Sequence, residues 1–104
     1  MKKIIDGKRF DTETADLVQE WDNGCYGRDF CRCEESLYKT KKGVYFLAGS
    51  GGPLSKYAIH YENNEKSGSS DIEPISEDEA LKWLEDHDGV DAIEEHFKDK
   101  IKDA

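Results

Sequence analysis

The amino-terminal pattern of polar and apolar residues predicts a β-hairpin. Residues 3–5 and 8–10 form two short segments that combine apolar and basic side chains, and the pair Asp6-Gly7 separates them. An Asp-Gly pair is typical of two-residue hairpin turns, because these turns require a backbone with positive φ. We therefore expect a small N-terminal hairpin.

The segment after the hairpin has the spacing of an amphipathic helix. Asp11 or Thr12 can cap its start, and Gly24 follows as a stop signal. The residues that would share one helical face are Thr14, Leu17, Val18 and Trp21. The pattern predicts a short helix that ends at about Asp22.

The middle of the chain predicts three strands, at 30–39, 44–48 and 56–62. Short connections that contain glycine join them, which favours an antiparallel meander. Every position of 44–48 is apolar, so both faces of this strand are expected to be covered. A further edge strand is expected around Ile72.

Two helices are predicted at the carboxyl end. Ser76 and Glu79 have the spacing of a capping box, and Ile75 precedes them as a hydrophobic staple. The first helix should end at Gly89, and its apolar stripe is Ala80, Leu81 and Leu84, with Trp83 beside them. The second carries apolar residues at spacings typical of a helix, namely Val90, Ile93, Phe97 and Ile101.

These elements predict an α+β fold. A small antiparallel sheet of three to four strands and the N-terminal hairpin would pack with a short N-terminal helix and two C-terminal helices. The length of 104 residues is that of one domain, 1–104. Two Trp, five Tyr and four Phe indicate a packed core despite a charged fraction of 38%.

The charge is divided unequally along the chain. Residues 1–61 contain 9 acidic and 10 basic side chains, whereas residues 62–104 contain 15 acidic and 5 basic ones. Direct binding of nucleic acid is not expected, since it requires a basic face. A basic protein that itself binds nucleic acid is the expected partner. No apolar segment has the length of a membrane span, and no signal peptide is evident, which predicts a cytoplasmic protein.

Three cysteines lie close together in the sequence, at Cys25, Cys31 and Cys33. On a strand Cys31 and Cys33 would share a face, and Cys25 could approach from the preceding loop. Thiolate-rich sites in a reducing compartment select zinc, which takes four ligands. The cluster predicts one zinc ion, although the spacing lacks the common C-x2-C, and simple packing of the cysteines is the alternative.

The fourth zinc ligand is not determined by the sequence. In a meander, His60 would lie at the opposite end of the sheet from Cys31 and Cys33. His87 and His96 fall on exposed helical segments, and Asp22, Asp29 or a water molecule could serve equally well.

Three longer segments carry a further pattern: GKRFDTETA at 7–15, DFCRCEESLYKTKKGVYFLAGSGGPLSKYA at 29–58, and IEPISEDEALKWLE at 72–85. They resemble a family of small proteins encoded by phages, plasmids and integrative elements of Firmicutes. The resemblance implies a host-defence context, that of anti-CRISPR proteins that inhibit a type II CRISPR effector nuclease. The family has ordinary strand residues where this chain has Cys31 and Cys33, so zinc would be a property of this member.

The charge and the resemblance together predict a non-enzymatic inhibitor in the cytoplasm of the bacterial host. It would bind the nuclease through an acidic surface and block its engagement of guide or target nucleic acid. We define the acidic surface as Glu77, Asp78, Glu85, Asp86, Asp88, Asp91, Glu94 and Glu95. Two alternatives are a small zinc-stabilised structural or regulatory protein of a mobile element without a defence role, and an enzyme with a cysteine nucleophile.

Overall fold

The computed structural model describes residues 1–25, 30–61 and 65–104. In chain order their elements are β1 Lys2–Ile5, β2 Lys8–Asp11, β3 Asp16–Asp22, β4 Cys33–Lys39, β5 Tyr45–Gly51, β6 Ile59–His60, β7 Lys66–Ser67, β8 Ser69–Ile75, α1 Glu77–Asp86 and α2 Val90–His96, followed by a 3-10 helix, Lys98–Lys100. The fold class is α+β, as predicted. Neither α1 nor α2 has the length and apolar composition that crossing a membrane requires.

The N-terminal hairpin is confirmed. β1 and β2 pair in antiparallel register, with Lys3 opposite Phe10. The turn between them has φ of 51° at Asp6 and 76° at Gly7. Both central residues therefore adopt the left-handed conformation that the Asp-Gly pair favours.

The main sheet has four antiparallel strands in the order β3-β4-β5-β8. Its strand β5 is covered on both faces, as predicted. On one face Tyr45 and Leu47 pack against the helices, in a core cluster that includes Leu37, Ala80, Trp83, Leu84, Ala92 and Phe97. On the other face Phe46 and Ala48 pack against Ile72 and against Phe10 of the hairpin.

The predicted helix at 12–22 is wrong, since residues Asp16–Asp22 form the strand β3. Its register against β4 shifts between Leu17 and Gln19, which makes Val18 the extra residue of a β-bulge. In a regular strand Val18 and Trp21 would lie on opposite faces, but the bulge brings both onto the helix-facing core. A bulged strand can therefore have the same spacing of apolar residues as an amphipathic helix.

The predicted third meander strand at 56–62 is also wrong, although Glu62 itself lies outside the described residues. Only the two residues of β6 are extended there, and they pair with β7 rather than with β5. β5 pairs with β4 on one side and with β8 on the other, and Ile72 of β8 is 2% exposed. This strand leads directly into α1, since only Ser76, the N-cap of the helix, lies between Ile75 and Glu77.

Helix α1 begins as predicted. The Ser76 hydroxyl accepts a hydrogen bond from the Glu79 N–H, and the Glu79 carboxylate accepts one from the Ser76 N–H. The second helix is shorter than predicted, because α2 ends at His96 and a 3-10 turn follows. Phe97 is buried, whereas Val90 is 61% and Ile101 is 41% exposed, so the predicted stripe is only partly a core face.

Candidate functional site

The two helices are held to the sheet by their apolar faces. Ala80, Trp83 and Leu84 of α1 are buried, as are Ala92 of α2 and Phe97 directly after it. The ring of Phe97 stacks on Tyr45 of β5, with ring centroids 5.3 Å apart. Helices anchored in this way present their polar faces outward in a fixed orientation.

All eight residues of the acidic surface are exposed. They occupy the first turn of α1, its last turn and the connection after it, and the outward positions of α2. The structure therefore gathers on one pair of helices the carboxylates that the sequence singled out.

Lysines neutralise part of this surface. Lys100 Nζ lies 3.6 Å from Glu77 Oε2 and 3.8 Å from Asp78 Oδ1. Lys82 Nζ lies 2.7 Å from Asp86 Oδ1, one helical turn away. The pKa of Lys82 is raised, first by its hydrogen bond to Asp86 and then by the charges of Asp86 and Glu85.

The remaining carboxylates make no ion pair with a lysine or arginine of the described ranges, although Glu85 contributes to the raised pKa of Lys82. Glu95 approaches His96 Nε2 at 3.8 Å. Within the described ranges, four others have no Lys or Arg nitrogen within 4.0 Å, and we call them the uncompensated carboxylates: Glu85, Asp88, Asp91 and Glu94. They are the part of the surface that is available for an external cation.

The carboxyl end of α1 is an unfavourable place for negative charge. Its last turn contains Glu85 and Asp86 and no basic residue, although the helix dipole favours cations there. Asp88, just beyond it, has a φ of 55°. Asp, like Asn, adopts left-handed backbone more readily than most residues, so this conformation is compatible with Asp88 but does not require a carboxylate there.

A cleft of about 440 Å³ on the hairpin side of the sheet has the opposite charge. The cationic residues that line it are Lys8, Arg9, Lys41 and Lys42. The hairpin covers the sheet face opposite the helices. Asp11 also lines the cleft, and Lys41 pairs with Asp16 at 3.1 Å, so the positive charge of this side is partly compensated.

The structure brings together two of the three predicted zinc ligands. Cys25 Sγ and Cys31 Sγ are 2.8 Å apart. β4 starts at Cys33 and not at residue 30, so Cys31 lies before the strand and is exposed while Cys33 is buried. No cluster of three or more His, Cys, Asp or Glu side chains arranged for a metal ion occurs in the described part of the chain. Zinc binding stays a prediction.

The residues considered for the fourth ligand, including the disfavoured His60, lie in different surroundings. His60 is exposed on β6. The His87 ring contacts both Trp21 and Trp83, with centroids 4.6 Å and 4.3 Å away, and its Nδ1 lies 2.6 Å from the Trp83 carbonyl oxygen. Asp22 accepts a hydrogen bond from the Gly24 N–H. Asp29 lies outside the described residues.

Besides Asp11, which is 7% exposed, the described residues contain a second buried carboxylate, and its burial was not predicted from the sequence. Glu35 of β4 is 4% exposed and accepts hydrogen bonds from Trp83 Nε1 at 3.2 Å and from Tyr57 Oη at 2.5 Å. Lys56 Nζ lies 2.7 Å from Glu35 Oε2. The sequence did contain a signal for this burial. Glu35 alternates with Cys33 and Leu37 along one strand, and all three side chains point inward.

The pKa of Glu35 reflects two opposing effects. Burial by itself raises the pKa, but the hydrogen bonds from Lys56, Tyr57 and Trp83 outweigh it and hold the pKa below the ordinary value. Burial, and then the hydrogen bond to Glu35, raise the pKa of Tyr57. Glu35 is thus an ionised group that ties the loop at 52–58 to the sheet and to α1, with its acceptor atoms already occupied.

Comparisons with protein-family models, with curated proteins and with solved structures find no match to this chain.

Proposed function

We propose that the protein is a non-enzymatic inhibitor of the anti-CRISPR type. It binds a host CRISPR effector nuclease through the acidic surface and blocks the engagement of guide or target nucleic acid. The observation that carries the proposal is the set of uncompensated carboxylates on α1, α2 and the connection between them.

Electrostatics supports a basic partner. Effector nucleases hold nucleic acid in positively charged channels. Carboxylates that have no internal cation add to the field outside the protein, and such a field steers a positively charged partner and speeds association. The concentration of negative charge in residues 62–104, opposite a nearly neutral remainder, also orients the encounter.

The rigidity of the surface supports an inhibitor that competes with nucleic acid. The buried residues of α1 fix that helix against the sheet, and Phe97 fixes the end of α2. The backbone positions that carry the carboxylates are thus set before binding, which lowers the ordering that binding requires. Carboxylates presented on such a scaffold can occupy positions that phosphates would take in the channel.

The sequence resemblance supports the choice of partner. The segments at 7–15, 29–58 and 72–85 resemble small proteins of mobile elements, among which anti-CRISPR inhibitors of type II effectors are found. Charge alone indicates a basic partner, and the resemblance narrows it to a nuclease of this class.

The test is a binding measurement with a purified type II effector nuclease, with and without guide RNA. We expect binding at about 50 mM salt that weakens steeply at about 300 mM, because screening shortens the reach of the field. We also expect the protein to reduce the binding of guide or target nucleic acid by the nuclease. No binding at either salt concentration would contradict the proposal.

Variants with equal charge change locate the contact. Asp91→Asn combined with Glu94→Gln should lower the association rate constant by about tenfold. Glu13→Gln combined with Glu20→Gln removes the same charge from exposed positions before and on β3, and should leave the rate nearly unchanged. Equal effects of the two pairs would show that only net charge matters and would contradict a contact at the acidic surface.

A further inference from the structure

Cys25 and Cys31 are placed to react with each other. Their sulfur atoms are 2.8 Å apart, whereas a disulfide bond is about 2.05 Å long. Cys31 is exposed and Cys25 is half-buried. Forming a bond requires the two sulfurs to approach by less than an ångström, and one of them is open to a reagent from solution.

The side chain of Asn23 holds the two cysteine segments in place. Its Nδ2 donates a hydrogen bond to the carbonyl oxygen of Cys31 at 2.6 Å. Its Oδ1 accepts from the N–H of Cys25 at 3.2 Å and from the N–H of Cys33 at 3.2 Å. One amide group therefore links the chain leaving β3 to the chain entering β4, and it sets the separation of the two thiols.

The third cysteine is set apart from this pair. Cys33 is 8% exposed within β4. Its sulfur is therefore shielded from a reagent in solution, and within the described residues the close sulfur–sulfur contact is the one between Cys25 and Cys31. The geometry selects one pair among the three that are conceivable.

We propose that Cys25 and Cys31 form a thiol–disulfide exchange site that reacts with low-molecular-weight disulfides such as glutathione disulfide. The site lies on the β3–β4 connection, outside the acidic surface, and it does not depend on the proposed partner. Its function is to cross-link this connection reversibly under oxidising conditions.

The exchange proceeds in two balanced steps. The exposed Cys31 thiolate attacks one sulfur of glutathione disulfide, which forms a protein–glutathione mixed disulfide and releases one glutathione thiolate. The Cys25 thiolate then attacks the Cys31 sulfur, forms the Cys25–Cys31 disulfide and releases the second glutathione thiolate. Two protein thiols are oxidised, one glutathione disulfide is reduced to two glutathione molecules, and the two protein protons leave with the glutathione.

The experiment treats the full-length protein with glutathione disulfide at about pH 8, close to the ordinary thiol pKa, in the presence of a metal chelator. Remaining thiols are then alkylated in denaturant, and the peptides are identified by mass. We expect a monomer with the Cys25–Cys31 disulfide and with alkylated Cys33. Alkylation of all three cysteines, a disulfide that includes Cys33, or a disulfide-linked dimer would overturn the proposal.

Variants test the order of the steps. Cys25→Ser should accumulate the mixed disulfide at Cys31, because the second attack is lost, and Cys33→Ser should still form the internal disulfide. Asn23→Ala should slow the second step at least severalfold, so that the mixed disulfide becomes detectable while the first step keeps its rate. If Asn23→Ala forms the Cys25–Cys31 disulfide as fast as the native protein, Asn23 does not position the two thiols. If Cys25→Ser never forms a mixed disulfide at Cys31, the first attack is not made by Cys31.

Discussion

Trp83 of α1 donates its indole N–H to the carboxylate of Glu35 on β4, at 3.2 Å. The two residues are far apart in the sequence, and each is buried. Their contact joins α1 to the sheet through the carboxylate of Glu35, which also accepts a hydrogen bond from Tyr57 and pairs with Lys56. The orientation of α1 therefore depends on a polar contact as well as on the apolar core.

Glu35→Gln should destabilise the protein by about 2 kcal/mol at pH 7, because a neutral amide accepts weaker hydrogen bonds and no longer pairs with Lys56. Glu34→Gln is the matched control, since Glu34 is an exposed neighbour on the same strand, and it should change stability by less than about 0.5 kcal/mol. Urea unfolding of both variants measures the difference.

The same substitution should alter the pH dependence. The pKa of Glu35 is lower in the folded protein than its ordinary value of 4.5. Its ionised form thus stabilises the fold above that value, and this contribution is lost as the pH falls through the folded pKa. The stability difference between the native protein and Glu35→Gln should shrink below about pH 4. A difference independent of pH would contradict the role of the charge.

Gly49→Ala should destabilise the protein by about 2 kcal/mol through a collision with Tyr57. A Cβ atom at Gly49 would overlap the ring and hydroxyl of Tyr57, which lies over this part of β5. A double-mutant cycle measures the effect, because Gly49→Ala should cost much less when Tyr57→Ala has already removed the ring. An equal cost in both backgrounds would place the strain elsewhere.

Asp88→Asn should separate stability from binding. Asn tolerates the φ of 55° at this position at least as well as Asp does, so the free energy of unfolding should stay the same or rise slightly. Association with the effector nuclease should slow, because one uncompensated carboxylate is lost. Asp6→Asn is the control, since Asp6 has a φ of 51° in the hairpin turn, outside the acidic surface. Equal association rates for the two variants would contradict the role of Asp88.

The zinc prediction is tested by metal analysis of protein purified under reducing conditions without added metal. If Cys25, Cys31 and Cys33 hold the ion, we expect one zinc per chain, lost in both Cys31→Ser and Cys33→Ser, and a lower unfolding temperature after chelation. Protein without zinc would contradict this prediction. Retention of zinc in Cys33→Ser would show that the third cysteine is not a ligand.

The hairpin turn at Asp6-Gly7 and the start of α1 at Ser76 were predictable because their determinants are local. Positive φ at the turn and the reciprocal hydrogen bonds of the capping box involve residues at most a few positions apart. The α+β class follows from the same kind of signal. The residues of the acidic surface could be named from their positions in the sequence, since charged side chains are rarely fully buried and were expected to be exposed.

Tertiary structure decided which segments became strands, how the strands are ordered and which side chains meet, because these features depend on partners distant in the sequence. The segment at 16–22 has helical spacing but forms a strand, because it pairs with β4 and has a bulge at Val18. The strand that pairs with β5 on its other side is β8, not the predicted strand at 56–62. Lys100, near the carboxyl terminus, pairs with Glu77 at the start of α1. The fold also places Glu35 beside Trp83 in the core. It brings Cys25 and Cys31 together, but these two do not form a three-residue metal cluster with any other described side chain. Such contacts could not be predicted, because only the packed chain determines which side chains share a face.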